Sequence, residues 1–95
     1  MEIELSGAAE LDLRHIVIDG LGRFGDQASQ RYVARLREAM TLIGGFPRIA
    51  RVREEIDEET RAFPVGVHLI LYRIKDDGNP FVLRIRHGRE DWAVD

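Results

Sequence analysis

The sequence predicts an α+β domain in which a helical hairpin lies on one face of a small antiparallel sheet. Three observations predict this fold: two helical stripes of apolar residues in the first half, three short β-type runs in the last third, and turn signals between them. The predicted element order is β-α-α-β-β-β, and the 95 residues are expected to form a single domain, 1–95.

The first half of the chain is predicted as a short strand followed by two helices. Apolar and acidic residues alternate over residues 2–5, which is typical of a strand with one buried face. Ser6 is a suitable N-cap for the first helix. Several glycines within 20–25 mean that the sequence does not define the residue at which this helix ends. Asp26 caps a second helix that stops at 44–45. Because two or three residues separate the helices, they must be antiparallel.

The last third is predicted as an antiparallel meander of three strands. Its β-type runs are joined by turn signals at 64–66 and 76–80. The middle run, 67–74, is apolar on both faces, with Leu69 and Leu71 on one side and alternate residues on the other. A central strand of a small antiparallel sheet normally needs cover on one face only. We therefore expect the second face to await another protein.

Composition indicates a protein of a reducing compartment. The chain has no cysteine, so disulfides and thiolate chemistry are excluded. No run approaches the ~20 apolar residues of a membrane span, and residues 1–15 carry acids where a signal peptide would be basic. We expect a cytoplasmic protein that does not contact membranes.

The charge balance argues against a nucleic-acid binder. The net charge is −3, from 14 basic and 17 acidic residues. Binding to phosphates normally needs a basic surface, because counterion release supplies most of the affinity. The acid-rich segment 46–59 is predicted as a solvated loop or one helical turn, whereas 81–89 holds three arginines and no acid. No direct contact with nucleic acid is expected.

Motifs for a metal or cofactor site are missing from the sequence. The three histidines do not stand at ligand spacing such as H-x-x-x-H, and His15 is expected to be structural or solvent-facing. There is no G-x-S-x-G and no glycine-rich phosphate loop. We therefore expect neither a metal nor a cofactor.

An ordered set of short patterns over nearly the whole chain resembles the ParE branch of the ParE/RelE toxin superfamily. No single pattern is very specific, but their order is. They are Leu5-Ser6-x-Ala8-Ala9-x-x-Asp12-Leu13, Tyr32-x-x-x-Leu36, Phe46-Pro47, Arg51-x-Arg53-x-Glu55, Arg61-x-Phe63-x-x-Gly66-x-His68-Leu69-Ile70-x-Tyr72-Arg73 and Arg84-x-x-His87-Gly88-Arg89-x-Asp91.

The resemblance implies the toxin of a type II toxin–antitoxin system, a class linked to plasmid stabilisation. It implies a toxin that inhibits DNA gyrase by binding, without chemistry of its own. It also implies a ParD-like antitoxin, with a ribbon-helix-helix head and an extended tail, in a hetero-oligomer. A degenerate, non-toxic relative that still binds antitoxin is an open alternative.

Two groups of residues are candidates for these contacts. Arg84 and Arg86 share one face of the last strand, and arginine suits bidentate pairing with carboxylates, although a plain solvated face would look the same. The resemblance implies that the C-terminal segment matters for toxicity; Trp92 there either seals the core or anchors a partner. The predicted target-binding residues are Arg84, Arg86, His87, Arg89 and Trp92. The predicted antitoxin-binding residues are Leu69, Leu71, Arg61, Arg73 and Tyr72.

A catalytic alternative rests on His87. In the ribonuclease branch of the superfamily, a histidine or basic residue near the end of the last strand works with a C-terminal tyrosine and an upstream glutamate and arginine. Glu55 can supply the carboxylate here, but no tyrosine follows Tyr72 and Leu69 stands where an arginine is needed. A RelE-like mRNA endoribonuclease with His87 and Glu55 is therefore the secondary prediction.

Overall fold

A computed structural model describes residues 3–88 of the chain. The elements are β1 (Glu4–Leu5), α1 (Gly7–Gly45), β2 (Arg61–Val65), β3 (His68–Ile74) and β4 (Pro80–His87). The predicted α+β class is confirmed. No helix in residues 3–88 is long and apolar enough to span a membrane.

Helix α1 is a hairpin that folds back at Gly25. This residue has φ 81° and ψ 178°, a left-handed backbone that glycine adopts without steric cost. A Cβ on Gly20 would lie 2.9 Å from Oγ of Ser29, whereas nine residues of straight helix span about 13 Å. The two arms, residues 7–24 and 26–45, are therefore antiparallel, as predicted. Ser6 caps the first arm, because its Oγ accepts the Ala9 N–H at 2.9 Å.

The sheet has the strand order β1-β4-β3-β2. Strands β2, β3 and β4 form the predicted antiparallel meander, but β1 pairs parallel with β4, so the sheet is mixed at this edge. Ser6 fixes that arrangement: its N–H donates to the Val82 carbonyl at 2.8 Å and its hydroxyl to the Leu83 carbonyl at 2.6 Å. The chain leaves β1 directly into α1 and returns only at β2, which makes a hairpin pairing of β1 impossible.

The core lies between the second arm of α1 and one face of the sheet. Its fully buried members come from both layers: Leu36 and Ile43 on α1, and Ile70, Tyr72 and Val82 on the sheet. The first arm contributes Ala9 as a buried residue and Leu13 and Ile16 as partly buried ones. Beyond Ile16, the first arm leaves its large apolar side chains exposed at Ile18, Leu21 and Phe24.

The other face of the sheet, which we call the distal face, carries Leu69 and Leu71. They pair across β4 with Arg86 and Arg84, which confirms that these two arginines share a face. Leu71 is nevertheless only 5% exposed, and Leu69 is half-buried. The predicted open apolar strip on β3 is therefore small.

Candidate functional site

A groove of about 910 Å³ lies between the α1 hairpin and one end of the sheet. Both arms of α1, the β2–β3 turn and the end of β4 line it. All three histidines of the chain, His15, His68 and His87, are among the lining residues. Because grooves of this size hold drug-sized ligands or several side chains of a peptide, this is the leading binding site in the described part of the chain.

Tyr32 connects the hairpin to the sheet at the floor of this groove. Its hydroxyl donates to the Val65 carbonyl at 3.0 Å and lies 2.6 Å from Nδ1 of His68. Burial raises the pKa of Tyr32 above its ordinary value, so the hydroxyl keeps its proton.

The β2–β3 turn approaches Tyr32 closely because it contains Gly66. A Cβ at Gly66 would lie 2.6 Å from Cε1 of Tyr32, and the residue has φ 56°. The turn also holds the end of β4, since the Gly88 N–H donates to the Val67 carbonyl at 2.7 Å. His68 and His87 are directly opposite in the β3–β4 ladder, and their rings meet edge to face with centroids 5.6 Å apart. One connected unit thus positions both imidazoles.

Arg84 is bound internally by a carboxylate of α1. Its Nε and Nη2 donate to Asp12 at 2.7 and 3.0 Å, and Asp12 also accepts the Ile85 N–H at 2.9 Å. Burial alone would raise the pKa of Asp12, but the hydrogen bonds from Arg84 and Ile85 outweigh burial and lower the pKa below its ordinary value. Asp12 therefore satisfies a backbone N–H of β4 beyond the end of β1 and ties α1 to the sheet.

The polar residues at the opposite end of β3 hold the segment between α1 and β2. Arg73 donates to Oδ2 of Asp57 at 2.7 Å and to the Thr60 hydroxyl at 3.2 Å. Asp57 also accepts the N–H groups of Glu59 and Thr60, and these bonds, that of Glu59 first, hold its pKa well below the ordinary range. Arg61 donates to the Ala50 carbonyl at 2.6 Å. These contacts give Arg61 and Arg73 a structural role.

Comparison with known proteins decides the family. Residues 3–92 match the family model described as the ParE toxin of the type II toxin–antitoxin system, parDE. This chain belongs to the ParE toxin family. It is 32% identical over 87 residues to Toxin ParE1 from two strains of Mycobacterium tuberculosis, a match that covers 92% of this chain and 89% of that protein.

A solved structure shares the fold of this chain. A chain of the chromosomal ParDE TA system from P. aeruginosa superposes with a TM-score of 0.77, over 92% of this chain and 95% of that one. At 17% sequence identity, this likeness bears on the fold alone.

Within this ParE fold, the predicted antitoxin-binding residues are not equivalent. Tyr72 lies in the core; its hydroxyl donates to the Pro47 carbonyl at 2.6 Å and accepts the Ala50 N–H at 3.3 Å. A partner contact by Tyr72 does not fit this position, because the side chain is fully enclosed. Leu69, Arg61 and Arg73 keep partial exposure, whereas Leu71 keeps almost none.

The two predicted ribonuclease residues are not brought together in this ParE-family chain. Glu55 is exposed and bonded to Arg53, in the segment that Arg73 holds. His87 pairs with His68, which lies five residues from Arg73 along β3. At about 3.3 Å per residue, the separation of His68 from Arg73 is about 17 Å. Of the predicted target contacts, Arg84, Arg86 and His87 are described, whereas Arg89 and Trp92 lie outside the described residues.

Sequence reasoning missed Tyr32 and His15 as members of the ParE-fold groove. In the sequence, Tyr32 stands at the spacing of an apolar helix stripe, and His15 is expected to be structural or solvent-facing, which agrees with its exposure. Neither residue has a local signal for a site, because the groove forms only when the hairpin meets the β2–β3 turn. Gly66, two residues before His68, is the one local sign that another side chain approaches this turn closely.

Proposed function

We propose that this ParE-type toxin of a type II toxin–antitoxin system acts by binding DNA gyrase, and that a ParD-like antitoxin neutralises it in a hetero-oligomer. The observation that carries the proposal is the family match over residues 3–92. The proposed compartment is the cytoplasm, and the proposed biological role of such a gene pair is stabilisation of the plasmid that carries it.

The proposed target surface combines the distal arginines with the end of β4. Arg84 and Arg86 lie side by side on the distal face, and His87 adjoins them at the mouth of the groove. Arg89 and Trp92, which follow along the chain, are proposed to belong to the same target surface. Since Arg84 already binds Asp12 through two nitrogens, we expect Arg86 and His87 to make the direct contacts. For the antitoxin, Leu69 and Arg73 remain proposed contacts on the distal face, and Arg61, which pairs with Tyr72 on the helix side, remains a proposed contact at the β2 edge.

The charge distribution supports a toxin that binds protein. The net charge of −3 opposes binding to phosphates, and the arginines Arg73 and Arg84 are held by carboxylates of the same chain. A guanidinium next to a carboxylate still presents polar edges to a protein partner, but it contributes less to the attraction of a polyanion.

A supercoiling assay tests the proposal. The purified protein should inhibit supercoiling of relaxed plasmid by gyrase, and the purified product of the adjoining reading frame should restore it. Messenger RNA incubated with ribosomes and the toxin should stay intact. Unaffected supercoiling at a toxin concentration that stops growth would overturn the gyrase part of the proposal.

The groove supplies a second candidate, an RNA-cleaving toxin. His68 and His87 place two imidazoles together beside Tyr32, and imidazoles are the usual general acids and bases near neutral pH. This arrangement replaces the pair of His87 with Glu55, which the fold separates. Messenger cleavage that is lost in His87→Ala, in a protein with unchanged melting temperature, would establish this candidate over the first.

A further inference from the structure

We propose that the groove beside Tyr32 receives an antitoxin segment in which a carboxylate stands among apolar side chains, and that His68 and His87 select the carboxylate. This inference rests on the proposed toxin–antitoxin pairing. It adds where the segment binds and what chemistry the segment carries.

The apolar requirement comes from the exposed tip of the hairpin. Phe24 lines the groove and is 70% exposed, and Val67 faces it from the β2–β3 turn with more than half of its surface exposed. Ile18 and Leu21 are exposed on the same arm of α1. They remain uncovered because the core ends near Ile16, while the arm continues to Gly25. Of these exposed side chains, Phe24 and Val67 line the groove and Ile18 and Leu21 do not, so the apolar contact with a partner in the groove is assigned to Phe24 and Val67.

The carboxylate requirement comes from the charged and protonatable groups that face the groove. Those groups are His15, Asp19, Arg23, Tyr32, His68 and His87, with Arg35 stacked on the ring of Tyr32. Asp19 is the only acid among the described lining residues, and Arg23 neutralises it at 3.0 Å. Among the described lining residues, a carboxylate from a ligand therefore meets imidazoles and no acid that is not already paired, and a lysine or arginine would find no such acid to pair with.

The geometry gives His68 and His87 the selecting role. Tyr32 fixes His68 through Nδ1, and the ladder fixes His87 across from it, so both rings are held before a ligand arrives. A side chain held in one position loses little conformational entropy on binding, which favours specificity. His15 is exposed on the opposite wall and lacks such support.

A second apolar groove in the molecule differs in its chemistry and provides the control. It measures about 810 Å³ and lies at the C-terminal end of α1, where Leu42, Phe46 and Ile49 are exposed. Arg48 is its only charged lining residue among those described, and it contains no histidine. The second arm of α1 separates Phe24 from Phe46 by about 30 Å, so a substitution in one groove leaves the other intact.

Calorimetric titration with the purified product of the adjoining reading frame tests the inference. Phe24→Ser should weaken binding at least about tenfold, because it removes a central apolar contact. Phe46→Ser changes a phenylalanine of nearly equal exposure, 65%, and should alter the dissociation constant less than about twofold. His87→Glu should weaken binding about tenfold or more, and His87→Gln much less, since only the former repels a carboxylate. Melting temperatures establish that each variant is folded.

A charge exchange distinguishes a selecting contact from a general disturbance. Among antitoxin-tail peptides that each replace one Asp or Glu with Lys, one peptide should bind His87→Glu more tightly than it binds the wild-type toxin. Wild-type affinity in both Phe24→Ser and His87→Glu, or loss of binding in Phe46→Ser alone, would overturn the inference while leaving the pairing intact. Failure of the wild-type toxin to bind the partner at all would overturn the pairing itself and the inference with it.

Discussion

Replacing Asp12 with Asn tests whether this carboxylate joins α1 to the sheet. Asp12 is 14% exposed at its side chain and accepts three hydrogen bonds, two from Arg84 and one from the Ile85 N–H. Asparagine keeps one acceptor oxygen and loses the charge, so the change removes roughly one charge-assisted hydrogen bond. Such bonds contribute about 1.5–3 kcal/mol. Because the Arg84 side chain is 41% exposed, we expect the low end, about 1.5 kcal/mol.

Thermal unfolding followed by circular dichroism measures this loss. In a domain of this size, 1 kcal/mol lowers the melting temperature by about 4–8 °C, so Asp12→Asn should melt about 6–12 °C below the wild type at pH 7. Asp19→Asn is the matched control on the same arm of α1. Asp19 pairs with Arg23 on the surface, where both side chains are mostly exposed, and its loss should lower the melting temperature only slightly.

The pH dependence of the melting temperature is a second test of the contact between Asp12 and Arg84. The pKa of Asp12 is lower in the folded protein than its ordinary value of 3.8, so the unfolded chain binds the proton first as the pH falls. The stabilisation is therefore complete above about pH 5 and is lost as the pH falls through the folded-state pKa. The difference between wild type and Asp12→Asn should shrink over that range. Equal melting of the Asp12 and Asp19 variants, or a difference that ignores pH, would refute the reasoning.

Three further substitutions address the groove, the core and the target surface. Tyr32→Phe removes the hydroxyl that contacts the Val65 carbonyl and His68 and should destabilise the protein by about 2 kcal/mol in urea unfolding; a cost below about 0.5 kcal/mol would mean that the connection is not structural. Tyr72→Phe should speed amide hydrogen exchange at Ala50 far more than in β4, because it removes the bond that holds this segment. Arg86→Glu should abolish growth inhibition in a protein that circular dichroism shows to be folded, with the exposed Arg37→Glu as control; full toxicity would move the target site away from the distal face. Because the charge of Arg86 also helps to lower the pKa of Asp12, a small fall in melting temperature is expected.

The internal pairing of Arg84 changes how the target surface is to be tested. Sequence alone presents Arg84 and Arg86 as equivalent exposed arginines on one strand face. In the structure, a glutamate at position 84 would stand against Asp12 and disrupt the contact between α1 and β4. Loss of toxicity in Arg84→Glu would therefore report a damaged fold as readily as a lost target contact. Arg86 is the residue whose reversal tests the target surface.

Local patterns were sufficient to predict the elements of this fold, because each has its own signal. The cap at Ser6, the end of α1 at Gly45 and the turns of the meander are all encoded within a few residues. The parallel pairing of β1 was beyond such reasoning, since two residues carry no information about which strand they join. The burial of Tyr72 likewise depends on a segment distant in the chain, as its bonds to Pro47 and Ala50 illustrate.

The position of the histidine pair depends on a single irregularity in β4. Near the β3–β4 turn, Ile74 pairs with Pro80 and Tyr72 with Val82; continued without interruption, this register would set His68 opposite Arg86. Instead Leu71 pairs with Arg84, so Leu83 is an extra residue, a β-bulge. The bulge shifts the rest of β4 by one residue, turns Arg84 and Arg86 to the distal face and brings His87 to His68 on the helix side. Counting alternate residues of β4 from the β3–β4 turn does not reveal this shift of register. The side chains that face the groove from β4 nevertheless depend on the shift. Deleting Leu83 should therefore remove the bulge and leave an uninterrupted ladder, with His87 still opposite His68 and with Arg84 and Arg86 still on the distal face.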